Sequence, residues 1–282
     1  MMNVTFIGVG AIGLPMALRI QGAGHAVTGV DVSDAVIANA RSNGIETVRR
    51  FSAAPTSEVV VVMVATPDHL AGVVGQVDET VQGQLWIIMS TVGPESVREQ
   101  GEALRQKGAR VVDAPVTGGV ARARTGELVI FAAGSTPDVE SAMPVLEAMG
   151  KVRMTGEQLG DGQGIKVVNQ HLCSVHIAAA AEALNLARLL GLDPAVVLGL
   201  IENGAAGSWM LSDRGPRMVA GTDVEVTSAI NIFVKDSGLV ALAGESCGAE
   251  LPLLAIAHER FCRAADAGLG LRDDSRVIET WS

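Results

Sequence analysis

The chain has 282 residues, 48% apolar and 18% charged, a balance that supplies ample core material and excludes a disordered polypeptide. Aromatic residues are only 3% and Tyr is absent, so the core must be built from Ala, Val, Ile and Leu, and base-stacking platforms are excluded as a main feature. Thirty-one acidic against twenty-one basic residues leave a formal charge of −10, which repels polyanions and points to a small-molecule enzyme rather than a nucleic-acid binder.

At ~150 residues per domain the length suits one large domain or two ordinary ones. The N-terminal half alternates short β-branched runs with helical stretches. Strands are predicted over 4–7, 26–30, 59–64, 85–89, 110–112 and 128–132, with helices such as 94–107 and 137–149 between them. Continuous apolar strands separated by helices imply a parallel sheet covered on both faces, and right-handed crossovers make it doubly wound. Residues 155–164 (TGEQLGDGQG) are glycine-rich and read as a hinge. From 165 to 190 the chain is almost unbroken helix former, about 26 residues or roughly 39 Å of helix, apolar enough to be buried on most sides. Asp193-Pro194 is an N-cap followed by proline at the first helical position, and further helices are predicted over 228–245 and 252–267. No strand pattern occurs in this half. The expectation is an α/β Rossmann domain over 1–160, a doubly wound parallel sheet, joined by the long helix to an all-α domain over 161–282.

The first basic residue is Arg19, too late for the charged start of a signal peptide. Continuous apolar runs such as 58–65 (EVVVVMVA) fall short of the ~20 residues of a membrane span. Cys173, Cys247 and Cys262 lack the paired spacing of a disulfide framework or zinc site. A soluble, cytoplasmic protein without metal, membrane or nucleic-acid partner is expected.

The strongest local motif is VTFIGVGAIGLPMA, in which Gly8, Gly10 and Gly13 form G-x-G-x-x-G between a strand and a helix. The glycines allow a tight turn, close approach of backbone to pyrophosphate, and close helix–sheet packing. The N–H groups around Ala11, Ile12 and Gly13 then face the phosphates at a positive dipole end. A second strand ends at Asp31, eighteen residues beyond Gly13, where a carboxylate accepts hydrogen bonds from the adenosine ribose. Asp31 and Asp34 repel a ribose 2′-phosphate, and no Arg lies between Arg19 and Arg41, so NAD is expected over NADP.

Four further segments are informative: STVGP (90–94), DAPVTGGVARARTGEL (113–128), GDGQGIKVVNQ (160–170) and FVKDSGLV (233–240). Lys166, Asn169 and Gln170 stand at i, i+3 and i+4, on one side of a helix. A lysine beside two amides suits proton transfer to and from a hydroxyl, provided its pKa falls from ~10.4 towards ~7–8. Desolvation and the helix N-terminus both act in that direction. Thr117-Gly118-Gly119 offers a hydroxyl and free backbone N–H groups to an anion.

With the glycine loop, these segments resemble the β-hydroxyacid dehydrogenase family over essentially the whole chain. The resemblance implies a Rossmann domain with a helical domain, a dimer or tetramer, and NAD-dependent oxidation of a small β-hydroxy acid or reduction of the matching semialdehyde. It implies that Lys166 is the acid/base and that Thr117, Gly118 and Gly119 bind the substrate carboxylate, with Thr where most relatives have Ser. Thr91 is implied at the nicotinamide end, Lys235 closing over the cofactor, and Val64 and Ala65 lining its cleft, Ala65 standing where many relatives have Pro. Asp236 either orients Lys235 or forms a solvated pair with it.

Most relatives carry a substrate-touching Asn at the position of Gln170. Gln there, with HIAAAAEAL (176–184) and SWMLSDRGPRM (208–218), is similar to the L-threonate branch, and Asn169 and Gln170 are expected to orient the substrate. 3-Hydroxyisobutyrate, tartronate semialdehyde, sulfolactaldehyde and aryl-substituted serines are the alternatives. Imine reductases share the architecture but usually lack the lysine; a non-catalytic nucleotide sensor would not need the full polar set. His171 and His176 are five apart, off the spacing of helical metal ligands, and either one reaching a substrate hydroxyl stays open. Arg122 and Arg124 are expected at the surface, while Arg214 and Arg217, flanking Gly215-Pro216, are expected to cap helices.

Overall fold

Residues 1–77 and 81–281 are described by a computed structural model, in two units, Met1–Lys166 and Val167–Ser282. In the first unit the six expected strands all form: β1 Asn3–Ile7, β2 Ala26–Val30, β4 Val59–Val62, β5 Leu85–Ile88, β6 Arg110–Asp113 and β8 Leu128–Ala133. Alternate side chains of a strand face opposite ways, and here both faces are dry. Val4, Phe6, Val59, Val61, Leu85 and Ile87 belong to one buried cluster, whereas Ile7, Val60, Val62, Trp86 and Ile88 belong to another. The covering helices are α1 Gly13–Gly22, α2 Asp34–Ser42, α3 Pro67–Gly75, α4 Pro94–Gln106, α5 Gly119–Thr125 and α6 Thr136–Leu146. Their starts follow local chemistry: the Ser33, Thr66 and Ser135 hydroxyls accept backbone N–H bonds at the N-caps of α2, α3 and α6.

The sheet runs β3-β2-β1-β4-β5-β6-β8, with β3 Thr47–Val48 at one end. Strands β3 to β6 are mutually parallel. The chain winds outward from β1 to β3, then returns to place β4 on the other side of β1, so the topology reverses between β1 and β4. The expected doubly wound parallel sheet is present, and its far edge is mixed. There β8 is antiparallel to β6 and to the short β7 (Val116–Thr117), and β9 (Gly150–Gly156) runs parallel to β8. Strands β3, β7 and β9 escaped the pattern because two are only two residues long and β9 is a largely exposed edge strand without an apolar run.

The long helix, α7, spans Asp161–Leu189, so the expected hinge over 155–164 holds the end of β9, a turn over 157–160 and the first turn of α7. Its length and composition would allow it to cross a membrane, with a mean hydropathy of 1.2 over its best window. One stripe of it is instead buried in protein: Gln163, Lys166, Gln170, Ser174, Ile177, Ala181 and Leu184 recur every three or four residues.

The second unit adds α8 Pro194–Ile201, α9 Trp209–Val219, α10 Ile230–Cys247, α11 Pro252–Ala264 and a C-terminal 3₁₀ segment, Asp274–Trp281. Ile177, Ala181, Leu184, Leu198, Leu211, Phe233, Phe261 and Val277 form its core, with the Phe233 and Phe261 rings stacked at 5.1 Å. Asp193 caps α8 through Ala195 N–H, as its sequence implied. Helix α9 contains Gly215 and Pro216 within its span, which corrects the expectation that Arg214 and Arg217 cap helices. Glycine lets the Leu198 side chain of α8 pack close here, since a Cβ would lie 2.7 Å from Leu198 Cδ1 and that side chain would have to move.

Candidate active site

Register gathers the first unit's candidate residues at one edge of the sheet. Ile7 lies level with Val30 and Val62, Val62 with Ile88, and Ile88 with Asp113. The residues at or just beyond those strand ends therefore emerge on one side: Gly8, Asp31, Val64 and Ala65, Thr91, then Thr117 at the end of β7 with Gly118-Gly119 after it. Ligands of open α/β sheets bind outside the carboxyl ends of the strands at the switch in strand order, which here falls between β1 and β4.

The three glycines of the β1–α1 loop do different things. Gly8 has φ +92°, and a Cβ on it would lie 2.3 Å from Met63 O of the neighbouring strand end. A Cβ on Gly13 would lie 1.9 Å from Gly8 O, so α1 packs directly on the turn. At Gly10 a Cβ would meet no protein atom within 4 Å, so packing of the chain does not demand glycine there, and the open side suits an approaching pyrophosphate. Helix α1 has no side-chain cap at Ile12 and no acidic residue in its first turn, leaving its positive end for an anion. The loop fits a dinucleotide.

Asp31 is half-buried at the end of β2 and accepts the Ser33 N–H at 3.0 Å. Arg49, which enters from the end of β3, pairs with Asp34 and donates to Val32 O at 2.7 Å. A count of arginines along the β2–α2 segment misses it, because strand pairing delivers it. Val64 N–H donates to Ser90 Oγ at 2.7 Å, joining the β4 and β5 loops. Ala65 is exposed, and Thr66 and Pro67 start α3 directly after it. Gly118 and Gly119 both have positive φ, +129° and +66°, so two consecutive peptide units take conformations that other residues resist. Arg122 lies folded against Gly118, and Arg124 is exposed.

Two residues that sequence reasoning did not single out organise the start of α7. Asp113, fully buried at the end of β6, accepts the N–H groups of Gly160 and Gln163 at 3.0 Å each through Oδ2, and Gln163 Nε2 at 3.0 Å through Oδ1. Burial lifts its carboxyl to about 6, against hydrogen bonds from Gln163, Gly160 and Gly162 that pull the other way. Lys166 follows one turn later and is 6% exposed. The available signal was periodicity, since Gln163 precedes Lys166 by three residues.

A raised folded-state pKa means that the native chain holds the Asp113 proton more tightly than the unfolded one. The associated stability is present below about pH 4 and lost as pH rises through 6. Asp113→Asn has no such proton, so its stability relative to the parent should improve by up to roughly 3 kcal/mol from pH 4 to 7. Thermal unfolding of both proteins across that range measures this, and a pH-independent difference would show that the carboxyl titrates normally.

In the second unit, Asn169, Gln170, Lys235 and Asp236 come together. Gln170 is buried; its Nε2 donates to Asp236 Oδ2 at 2.5 Å and its Oε1 accepts from Asn169 Nδ2 at 2.8 Å. Lys235 Nζ lies 2.7 Å from Asp236 Oδ1, and Asp236 is 5% exposed, so this is no solvated pair. The Gln170 carboxamide is thus engaged with protein on both sides. His171 and His176 are half-buried on α7.

Arg214 and Arg217 belong to a different structure. Arg214 grips the fully buried Asp274 with Nε and Nη2 (3.1 and 2.9 Å), and Arg217 Nε reaches Asp273 at 3.0 Å. Burial disfavours the Arg214 cation, yet Asp274 and Asp213 hold it above its ordinary pKa. Burial also acts against the Asp273 carboxylate, but bonds from Ser275, Thr227 and Arg217 prevail and bring it down to about 2. These pairs staple the start of the C-terminal 3₁₀ segment to α9, and Thr227 ties it to the loop before α10.

A doubly wound sheet with this glycine loop, and a buried lysine on the helix that follows it, defines a dinucleotide-dependent oxidoreductase. Residues 3–160 match the family described as the NAD binding domain of 6-phosphogluconate dehydrogenase, and residues 160–281 the NAD-binding domain of NADP-dependent 3-hydroxyisobutyrate dehydrogenase. L-threonate dehydrogenase of Cupriavidus necator is 36% identical over 98% of this chain and 95% of its own. The crystal structure of 3-hydroxyisobutyrate dehydrogenase from Salmonella typhimurium superposes with a TM-score of 0.90 at 31% identity, covering 99% of both chains. The 3-hydroxyisobutyrate dehydrogenase of Mycobacterium tuberculosis gives 0.84 at 29%, covering 100% of this chain and 99% of its own. The chain belongs to the β-hydroxyacid dehydrogenase family, NAD(P)-dependent oxidoreductases that act on a CH–OH group.

Proposed function

We propose that the protein oxidises a small β-hydroxy acid with NAD, Lys166 serving as acid/base, and that a four-carbon sugar acid of the L-threonate type is the favoured substrate. The observation that carries this reading is Lys166 itself, an amine withdrawn from water on the first turns of α7. The bound nicotinamide supplies the hydride acceptor. Lys166 Nζ takes the hydroxyl proton in oxidation and returns it in reduction. The Thr117 hydroxyl and the backbone N–H groups of Gly118 and Gly119 receive the substrate carboxylate, and Thr91 steadies the nicotinamide end. Asn169 orients the substrate, and Gln170 does so through Asn169, because its own carboxamide is engaged by Asp236. Lys235, aligned by Asp236, closes over the cofactor.

The threonate preference rests on Gln170 and on the identity to L-threonate dehydrogenases. A panel of L-threonate, 3-hydroxyisobutyrate, glycerate (the alcohol of tartronate semialdehyde), 2,3-dihydroxypropane-1-sulfonate (the alcohol of sulfolactaldehyde) and phenylserine, followed by NADH formation, tests it. Highest kcat/KM with another acid moves the assignment to that acid, and no NADH with any of them removes the proposal.

NAD is favoured because Asp31, at the end of β2, is a carboxylate suited to accept bonds from ribose hydroxyls and to repel a 2′-phosphate, and Arg49 is already paired with Asp34. Asp31→Ala should raise the KM for NAD roughly tenfold, through loss of charged hydrogen bonds, while use of NADPH changes less. An unchanged ratio of the two cofactors would remove the assignment. The proposed setting is the cytoplasm, and the proposed assembly a homodimer or homotetramer. Exposed Leu186, Leu189, Leu190, Val196 and Leu200 supply an apolar face for it. A monomeric mass by sedimentation at micromolar concentration would contradict the assembly.

A further inference from the structure

The Gln163 carboxamide has two donor hydrogens and an oxygen with two acceptor sites, and all four are used. Its Nε2 donates to Ser90 O and Asp113 Oδ1, both at 3.0 Å; its Oε1 accepts from Val92 N–H and Gly93 N–H, both at 3.1 Å. Ser90 and Val92 flank Thr91, so one side chain fixes the peptide groups on both sides of that residue. The same Gln163 donates its backbone N–H to Asp113, which ties the first turn of α7 to the end of β6. Lys166 stands one turn further along the same buried stripe. Ser90, Asp113 and Gln163 are fully buried, so water cannot replace a bond that is lost.

We infer that Gln163 is a positioning residue for the oxidation: its carboxamide locks the loop carrying Thr91 to the helix turn carrying Lys166, holding hydride acceptor and proton acceptor in one frame. The inference rests on the proposed roles of Thr91 and Lys166. The nearest replacements do not suit the place: Asn is a methylene too short, Met offers no donor and only a weak acceptor, and ionised Glu would turn an acceptor oxygen towards Ser90 O and the Asp113 carboxylate.

The test uses the full-length protein, NAD and the best acid of the substrate panel. Wild-type turnover with an inactive Lys166→Ala establishes the underlying reading first; absence of wild-type turnover overturns both. Gln163→Met should then lower kcat ~10–100-fold, the scale expected for a displacement near 1 Å. The dissociation constant for NADH, read by its fluorescence, should change less than about threefold, because the glycine loop and Asp31 are untouched. Gln163→Glu separates positioning from bulk structure. As pH falls, one proton taken up by the introduced carboxyl or by the facing Asp113, itself raised to about 6, restores one of the two lost bonds while the other oxygen still accepts from Val92 and Gly93, so the ratio of its kcat to that of the wild type should rise from pH 8 to 6. A Gln163→Met enzyme with kcat within twofold of the wild type overturns the inference alone. If that variant does not fold, the Gln163→Glu ratio decides, and a ratio flat across the pH range overturns it equally.

Discussion

Replacing Lys166 with Ala should lower turnover by ~10²–10⁴, the range for loss of a positioned general base, with NAD affinity retained because Gly8, Gly10, Gly13 and Asp31 remain. Lys166→Arg separates the proton-transfer role from charge and bulk. A guanidinium is cationic and of similar length but does not give up its proton in proteins, so this variant should be as impaired as Lys166→Ala. Steady-state kinetics in both directions read the result, since one group serves oxidation as base and reduction as acid. Near-normal turnover in Lys166→Ala, or recovery in Lys166→Arg, would reject the assignment.

The largest expected effect on stability lies far from this chemistry in sequence. Arg214→Met strips the partner from Asp274, whose side chain is fully buried, and removes a contact of Arg214 with the Trp209 ring, 5.6 Å from its centroid. Breaking one side of a buried ion pair costs about 3–5 kcal/mol, because the remaining charge is left unpaired out of water. Urea unfolding should show a loss of this size. Adding Asp274→Asn to Arg214→Met should recover part of it, since the orphaned charge is then gone. A loss below about 1 kcal/mol in the single variant would mean that the C-terminal segment detaches without consequence, contrary to the bonds that Asp273 accepts from Arg217 and Thr227.

Where the sequence carried a strong local period, it was read correctly. The six long strands, the start of α8 at Asp193-Pro194 and the glycine turn after β1 all follow from hydrophobic alternation, an N-cap or a backbone conformation that only glycine takes readily. Helix α9 was misjudged because Gly215 and Pro216 normally interrupt helices; here glycine answers to the Leu198 side chain of α8, which no local rule contains. The reversal at β8 was missed for the same reason, since strand direction depends on how a connection turns.

The candidate site divides along that line. Gly8, Gly10, Gly13, Asp31 and Lys166 were legible because their motifs are short and their chemistry is tied to residue type. Asp113 and Gln163 are fifty residues apart, and only the pairing of β6 beside β5 and the entry of α7 brings them to Ser90. Gln170 reads in sequence as a substrate contact, yet its partner Asp236 lies sixty-six residues away and takes up its amide. Arg49 likewise reaches Asp34 only because β3 pairs with β2. Residue type and local spacing thus determined the family, the parallel part of the sheet and which side chains are proposed to hold the chemistry. The tertiary structure alone decided which buried polar atoms satisfy one another, because a hydrogen bond taken out of water is chosen by proximity in space rather than along the chain.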